Sequence, residues 1–446
     1  MKRPQTPPAF SEIYRSGFIN KFATIMRLAV EPPGEYPHWD KLRHLTPPEG
    51  LTSEEWWLGI KMRRNGLLKP IPLLDKEGRH FQFGVPDLVQ SELHDIDVGA
   101  GRSIGIPEPI TNPQTRDRYL IRSLIEEAIT SSQLEGAVTT REVAKEMIRT
   151  GRAPRDNSEQ MILNNFMTMQ RVTELKKDEL TPEIVFAIHR LVTEKTLPEA
   201  TAGGRFRRPD ENRVVGDDFG EIFHNPPPAE ELPGRLQAMC DFANGRTPGF
   251  FVHPAVRAII LHFWLAYDHP FVDGNGRTAR ALFYWGMLHA GYWLFEFISI
   301  SSILKKAPVM YGLSYLHSET DGNDLTYFIV AQTHVIRRAI EELHAYINRK
   351  TMEVRELESH VRILGFFNHR QADLVRHALK HPYQEYTIAS HGKSHNVAYQ
   401  TARTDLLDLK TRGALDEKKR GRKMVFTVPR DLSERLRRME KEARTT

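Results

Sequence analysis

The 446-residue sequence contains a single cysteine, Cys240. One thiol excludes an intramolecular disulfide framework and a cysteine-rich zinc site, and it suits a reducing compartment. Long apolar runs are also lacking. The most apolar stretch, Ala255 to Phe271, is interrupted by Arg257, His262, Asp268 and His269. It is too short and too polar to span a bilayer. The opening residues Met1-Lys2-Arg3-Pro4 lead into polar, proline-rich sequence instead of the apolar core of a signal peptide. Internal repeats and low-complexity tracts are missing too. These absences predict a soluble, cytoplasmic protein without a membrane partner.

What is present is ordinary globular composition, on a chain long enough for two or three domains. The charge is uneven. Residues 361–446 hold 19 Lys/Arg against 10 Asp/Glu, a net +9, whereas the rest holds 43 against 47, a net −4. Any polyanion-binding role is therefore expected at the C-terminal end.

Three regions are expected: 1–112, 113–358 and 359–446. The first is punctuated by proline pairs and opens a helix at Ser53-Glu54-Glu55. Gly99 to Pro113 reads as loop. From about Arg116 the pattern is helical, with a capping box predicted at Thr139 and Glu142 and a cap plus N1 proline at Thr181-Pro182. Arg213-Val214-Val215 and Glu221-Ile222-Phe223, separated by Gly216 to Gly220, predict a hairpin. A helix is expected through Trp264, another from about Asn275 to Ala290, and a long one from Leu325 to about Glu358. The last region predicts helices near Gln371–Lys380, near Thr387 and over His395–Leu409. A basic hairpin over Lys418–Lys423 and a strand from Met424 to Val428 follow. Three helices and a basic hairpin resemble a winged helix-turn-helix.

The segment richest in chemistry is His269-Pro270-Phe271-Val272-Asp273-Gly274-Asn275-Gly276-Arg277-Thr278-Ala279-Arg280. It reads as a loop entering a helix. Gly274 and Gly276 let the backbone approach a ligand. The unpaired N–H groups of a helix start make an anion site, and Asn275 is expected to cap that helix. Arg277 and Arg280, three apart, are expected to project from one side and to suit a polyphosphate. Asp273 is an acid in a basic cradle, which makes sense as an Mg²⁺ ligand. His269 supplies an imidazole base at the mouth.

This segment resembles the signature of Fic domains, His-Pro-Phe-x-Asp/Glu-Gly-Asn-Gly-Arg-x-x-Arg, with no departure. The resemblance extends from about Arg116 to His344. It implies a mainly α fold, a helical Fic domain with a β-hairpin flap. It also implies transfer of AMP from ATP to a hydroxyl side chain (Tyr, Thr or Ser) of a target protein. In that reading His269 takes the hydroxyl proton and Asp273 holds Mg²⁺. Gly274, Asn275 and Gly276 cradle phosphates, and Arg277 and Arg280 bind the β- and γ-phosphates. In Doc-type kinases of the family a lysine replaces the second glycine; Gly276 here favours AMP transfer. Val214, Val215 and Phe223 of the hairpin would dock a target segment by strand addition.

Ser131-Ser132-Gln133-Leu134-Glu135-Gly136 resembles the family's inhibitory motif, Ser/Thr-x-x-x-Glu-Gly/Asn. The resemblance implies that Ser131, Glu135 and Gly136 form a self-inhibiting segment whose glutamate engages Arg280 in place of the γ-phosphate. Two alternatives stay open: a DNA-binding regulator that uses the basic tail, with Gln400, Thr401, Arg403 and Thr404 facing the major groove, and an enzyme that removes AMP with Glu135 positioning water. A homodimer is left open as well.

Overall fold

A computed structural model of the chain describes residues 2–9, 18–101, 113–211, 214–216, 220–363, 367–382, 384–420 and 423–445. The chain divides into two compact units, Met1–Arg102 with Arg122–Glu341, and Ser103–Ile121 with Glu342–Thr446. These limits differ from the expected boundaries after residues 112 and 358. The N-terminal hundred residues fold into the same unit as the central helices. Among the described residues, no helix is long and apolar enough to cross a membrane.

The first unit opens with α1 (Phe18–Leu28), α2 (Trp39–Leu42) and α3 (Ser53–Asn65). Trp39, Trp56 and Trp57 pack there with Ile25 and Ala29. Thr52, one residue before the expected start, caps α3, and its capping box is completed by Glu55. An antiparallel hairpin follows, β1 (Lys69–Leu74) with β2 (His80–Phe83), then α4 (Asp87–Ile96). Residues 102–112 of the predicted loop lie outside the described residues. Next come α5 (Pro113–Leu134), which belongs to this unit from Arg122 on, α6 (Arg141–Thr150), α7 (Asn157–Glu174) and α8 (Pro182–Thr193). The α6 cap is Thr140, whose side chain accepts from the Val143 N–H; the predicted Thr139 box is not made. Thr181 and Pro182 start α8 as expected.

The hairpin β3 (Val215–Gly216) with β4 (Ile222–His224) precedes α9 (Leu232–Ala243), α10 (Pro254–Asp268) and α11 (Asn275–His289). Arg213 and Asp217 to Phe219 of the predicted hairpin lie outside the described residues. α10 is buried on nearly every side, including Phe263, Trp264 and Leu265. A helix apolar all round belongs in a core, and that explains the long apolar run in the sequence. It packs against α11, which buries Leu282, Phe283, Tyr284 and Trp285.

α12 (Ile300–Leu304), α13 (Pro308–Thr320) and α14 (Thr326–Ile363) complete the central helices. The loop between α13 and α14 receives the N-terminal region. Lys61 Nζ lies 2.8 Å from Asp321 Oδ2, Arg64 donates to the Tyr327 hydroxyl at 2.6 Å, and Gln82 N–H donates to the Asn323 carbonyl at 3.0 Å. Charges this buried persist only when paired and hydrogen-bonded.

The second unit carries α15 (His369–Lys380), β5 (Glu385–Thr387), α16 (Ile388–His395), α17 (Tyr399–Thr411), β6 (Asp416–Arg420), β7 (Lys423–Thr427) and α18 (Leu432–Thr445). The sheet order is β5-β7-β6, antiparallel. Leu374, Val375, Leu406, Leu409 and Phe426 form its core. The third helix begins at Tyr399, not His395, because Asn396 takes a left-handed conformation that ends α16. Strand β5 and helix α18 were not foreseen.

Candidate active site

The site begins where α10 stops. His269 adopts φ 45° and donates its N–H to the Leu265 carbonyl at 3.0 Å. A non-glycine residue there is uncommon and needs support. Arg207 supplies it. Its N–H donates to the Pro270 carbonyl at 2.9 Å, its Nε to the His269 carbonyl at 3.0 Å, and its Nη2 to the Pro227 carbonyl. Burial, then the His224 and Arg207 charges, push the His269 ring down to about 4, against the Ala266 carbonyl and Glu135. Such a ring is neutral at neutral pH, the form that accepts a proton.

The loop after His269 is braced from α8. His189 Nε2 donates to the Asp273 carbonyl at 2.9 Å, and its Nδ1 accepts from the Gly204 N–H at 2.9 Å. Those two partners require the neutral ring, and burial holds its pKa down to about 4. The same ring stacks on Phe271, with centroids 3.7 Å apart. Asn275 does not cap α11. Its Oδ1 accepts from the Phe271 N–H at 2.9 Å and its Nδ2 donates to the Phe271 carbonyl at 2.8 Å, so it clamps the loop instead. Gly274 holds the cap position at φ 83°. A Cβ there would sit 2.7 Å from Thr193 Cγ2, so both backbone and space demand glycine.

Asp273 keeps its carboxylate half exposed. One oxygen accepts from the Gly274 N–H at 2.6 Å and the other lies 3.4 Å from Arg277 Nη2. Arg277 is buried, and its Nη1 donates to the Val192 carbonyl at 3.0 Å. Arg280 is buried too, but on other partners. Its Nε donates to Ser131 Oγ at 2.8 Å, and its Nη2 to the Ser131 carbonyl at 3.0 Å and to Glu135 Oε1 at 2.8 Å. Burial alone would lower the Arg280 pKa, but Glu135 and Tyr311 carry it above the ordinary arginine value. Arg277 is thus tied to α8 and Arg280 to the end of α5.

Glu135 stands there because of how α5 ends. Gly136 takes φ 90° and donates to the Gln133 carbonyl at 3.2 Å, while Ala137 donates to the Ser132 carbonyl at 3.0 Å. This is the paired-bond glycine ending of a helix, with Glu135 as the last residue before the turn. Its carboxylate reaches the first turn of α11. A Cβ on Gly276 would lie 2.1 Å from Glu135 Oε1. A side chain at position 276 would thus displace the Glu135 carboxylate from this position.

Residues 179–287 match the Fic/DOC family. This chain carries a Fic/DOC domain. Over 214 residues it is 28% identical to a protein adenylyltransferase Fic of Nematostella vectensis, spanning 47% of each chain. Over 165 residues it is 30% identical to a protein adenylyltransferase Fic of Drosophila willistoni, spanning 36% of this chain and 31% of that one. The matches thus cover less than half the length of these relatives. Among solved structures, a Fic family protein from Desulfovibrio desulfuricans G20 aligns with a TM-score of 0.51 at 18% identity, over 76% of this chain and 95% of that one. That likeness speaks to fold, and the expected mainly helical Fic fold is borne out.

In the Fic domain the hairpin lies on the α10 side of the loop. Val214 and Val215 are exposed, as a docking strand requires, and so is Ile222. Phe223 is buried, so it anchors the hairpin and does not face a target; its place on the predicted docking surface is corrected. Several residues that build the site escaped sequence reasoning. His189 and Arg207 brace the loop. Glu127 is a buried carboxylate that accepts from Tyr284 Oη at 2.8 Å, Ser299 Oγ at 2.9 Å and the Ser301 N–H at 3.1 Å, fixing α5 two turns before Glu135. The only local signal for Glu127 is an acid on the apolar face of a helix.

Proposed function

We propose that this Fic domain is a protein adenylyltransferase held in check by Glu135. The observation that carries the reading is the Glu135–Arg280 ion pair across the first turn of α11, beside a neutral His269. The names of the two relatives support the same activity. ATP is the substrate. His269 takes the proton of a Ser, Thr or Tyr hydroxyl of the target. That oxygen forms a bond to the α-phosphorus as the bond from that phosphorus to the bridging oxygen breaks, and pyrophosphate leaves. The work is positioning and charge stabilisation. Gly274, Asn275 and Gly276 shape the turn, Arg277 sits at its inner edge, and Arg280 receives the γ-phosphate once Glu135 withdraws. A carboxylate and a phosphate compete for one guanidinium fork.

Asp273 fits a magnesium ion. It is the half-exposed acid of the loop, and Mg²⁺ takes one or two carboxylates with phosphate and water completing its shell. Bound there, the ion would neutralise phosphate charge. The test uses purified chain and radiolabelled ATP. Glu135→Gly raises self-labelling by roughly tenfold or more, the equivalent of about 1.4 kcal/mol, and His269→Ala in that background removes it. Equal labelling of wild type and Glu135→Gly would discard the inhibitory role.

For the second unit we propose a winged helix that contacts DNA. Tyr399, Gln400, Thr401 and Thr404 are exposed on α17, opposite its buried Ala402, Asp405, Leu406 and Leu409. The net charge of +9 over residues 361–446 favours a polyanion. Titration against duplex DNA at two salt concentrations tests this; salt-insensitive or absent binding discards it.

A further inference from the structure

The end of α10 leaves carbonyl groups without helical partners, as every helix end does. The Leu265 carbonyl is taken by His269 N–H. The Tyr267 carbonyl is taken by a side chain from the hairpin: His224 Nε2 donates to it at 2.7 Å. The other ring nitrogen, Nδ1, lies 2.8 Å from Glu319 Oε2 on α13. His224 is 8% exposed, and its ring packs on Tyr267 with centroids 4.6 Å apart. A carbonyl and a carboxylate both accept only. Satisfying the pair therefore puts a proton on each ring nitrogen, which makes the ring an imidazolium. A cation at a helix C-terminus is favourable with respect to the helix dipole.

We propose that His224, held by Glu319, is a positioning residue for His269: a charged cap from the hairpin that fixes the end of α10, where the chain turns at His269. His224 belongs to β4, whose neighbours Val214, Val215 and Ile222 are the exposed apolar residues of the hairpin. A segment that pairs with this hairpin would act on the strand that carries the cap. The hairpin and the base are thereby one mechanical unit. The depressed pKa of His269 agrees with this, since the His224 charge is its largest cause after burial. Other charges also face the pair. Arg207 and Glu135 face His269, one lowering and one raising its pKa. Asp268, paired to Arg235 at 2.9 Å, faces His224 from α10. None of these lies on β4 or α13, so replacing His224 or Glu319 leaves them in place.

The role of His269 as base rests on the proposed function; the linkage itself is tested without nucleotide. The full chain is labelled with ¹³C at histidine Cε1 and titrated by NMR, with the His269 signal assigned by its loss in His269→Ala. In the wild-type chain His269 titrates near about 4. His224→Gln moves that midpoint up by roughly half to one unit, because a nearby positive charge is gone. Glu319→Gln moves it the same way by less, and it decides the matter should His224→Gln fail to fold. A purely structural role would lower stability in both variants and leave the midpoint where it was. An unmoved midpoint in a folded variant overturns the proposal, even if AMP transfer is intact. A moved midpoint supports the linkage on its own; absence of label from Glu135→Gly protein in the separate transfer assay would sink the enzymatic reading and leave the linkage standing.

Discussion

Arg277 and Arg280 stand three residues apart on α11, both nearly wholly buried, yet they are held in opposite ways. Arg277 belongs to the scaffold: its partners are the Val192 carbonyl at the end of α8 and the acid one turn before it. Arg280 faces the end of α5: buried Ser131 and the partly exposed Glu135 accept its hydrogen bonds, with Tyr311 of α13 also beside it. Glu135 is about a third exposed, whereas the Val192 contact is buried. The inner edge of the cradle is therefore architecture, and the outer edge is a contact that a competing phosphate could replace. On the proposed reading, the same helix presents one arginine that must stay and one that changes partners.

Substitutions should separate the two edges. Arg277→Ala leaves a buried carbonyl unpaired and a void beside it, and is expected to destabilise the first unit by about 2–4 kcal/mol, read by denaturant unfolding. Glu135→Gly leaves the buried Arg280 its Ser131 bonds but no carboxylate, and is expected to cost about 1–3 kcal/mol, while nucleotide transfer rises. Equal stability losses would erase the distinction. Asn275→Ala removes two bonds that clamp the loop and should cost about 1–3 kcal/mol, again on the inner edge.

A change of pH acts on the site as well as on other rings whose pKa burial holds down, such as His262 and His317. His189 and His269 have folded-state pKa values near about 4, below the 6.5 of an unperturbed ring. As pH falls from 6.5 toward 4, the unfolded chain binds protons that the folded chain refuses. The contribution of these two rings therefore drops through that window and levels off below it. His189→Asn, which keeps a donor without a titrating ring, should flatten part of that slope; an unchanged slope would separate His189 from the effect. The smallest effect is expected at Thr140→Ala. Losing that cap should cost about 1 kcal/mol and leave transfer unchanged, since Thr140 touches neither edge.

Much of the site was legible because its chemistry is local. His269 to Arg280 is one continuous turn and helix start, and Glu135-Gly136 is a helix ending with its own residue grammar. The errors were errors of placement. Asn275 reads as a cap, but α11 begins at Asn275 itself with Gly274 in the cap position, and the Asn275 side chain turns back to Phe271. Phe223 reads as a docking residue, but alternation along β4 turns it inward. His189, Arg207 and His224 gave no local signal, and Glu127 only that of an acid on an apolar helix face. Each acts on a partner many residues away, and neither periodicity nor capping pattern records such a meeting.

By itself the sequence determined that a glycine-lined turn would lead two arginines and an acid into a helix, since φ preferences, helix ends and charge are properties of neighbouring residues. Only the tertiary structure decided which carboxylate meets Arg280, which carbonyl binds Arg277, and which imidazole closes the end of α10. Those pairings depend on how helices pack, and packing is settled by burial across the whole unit.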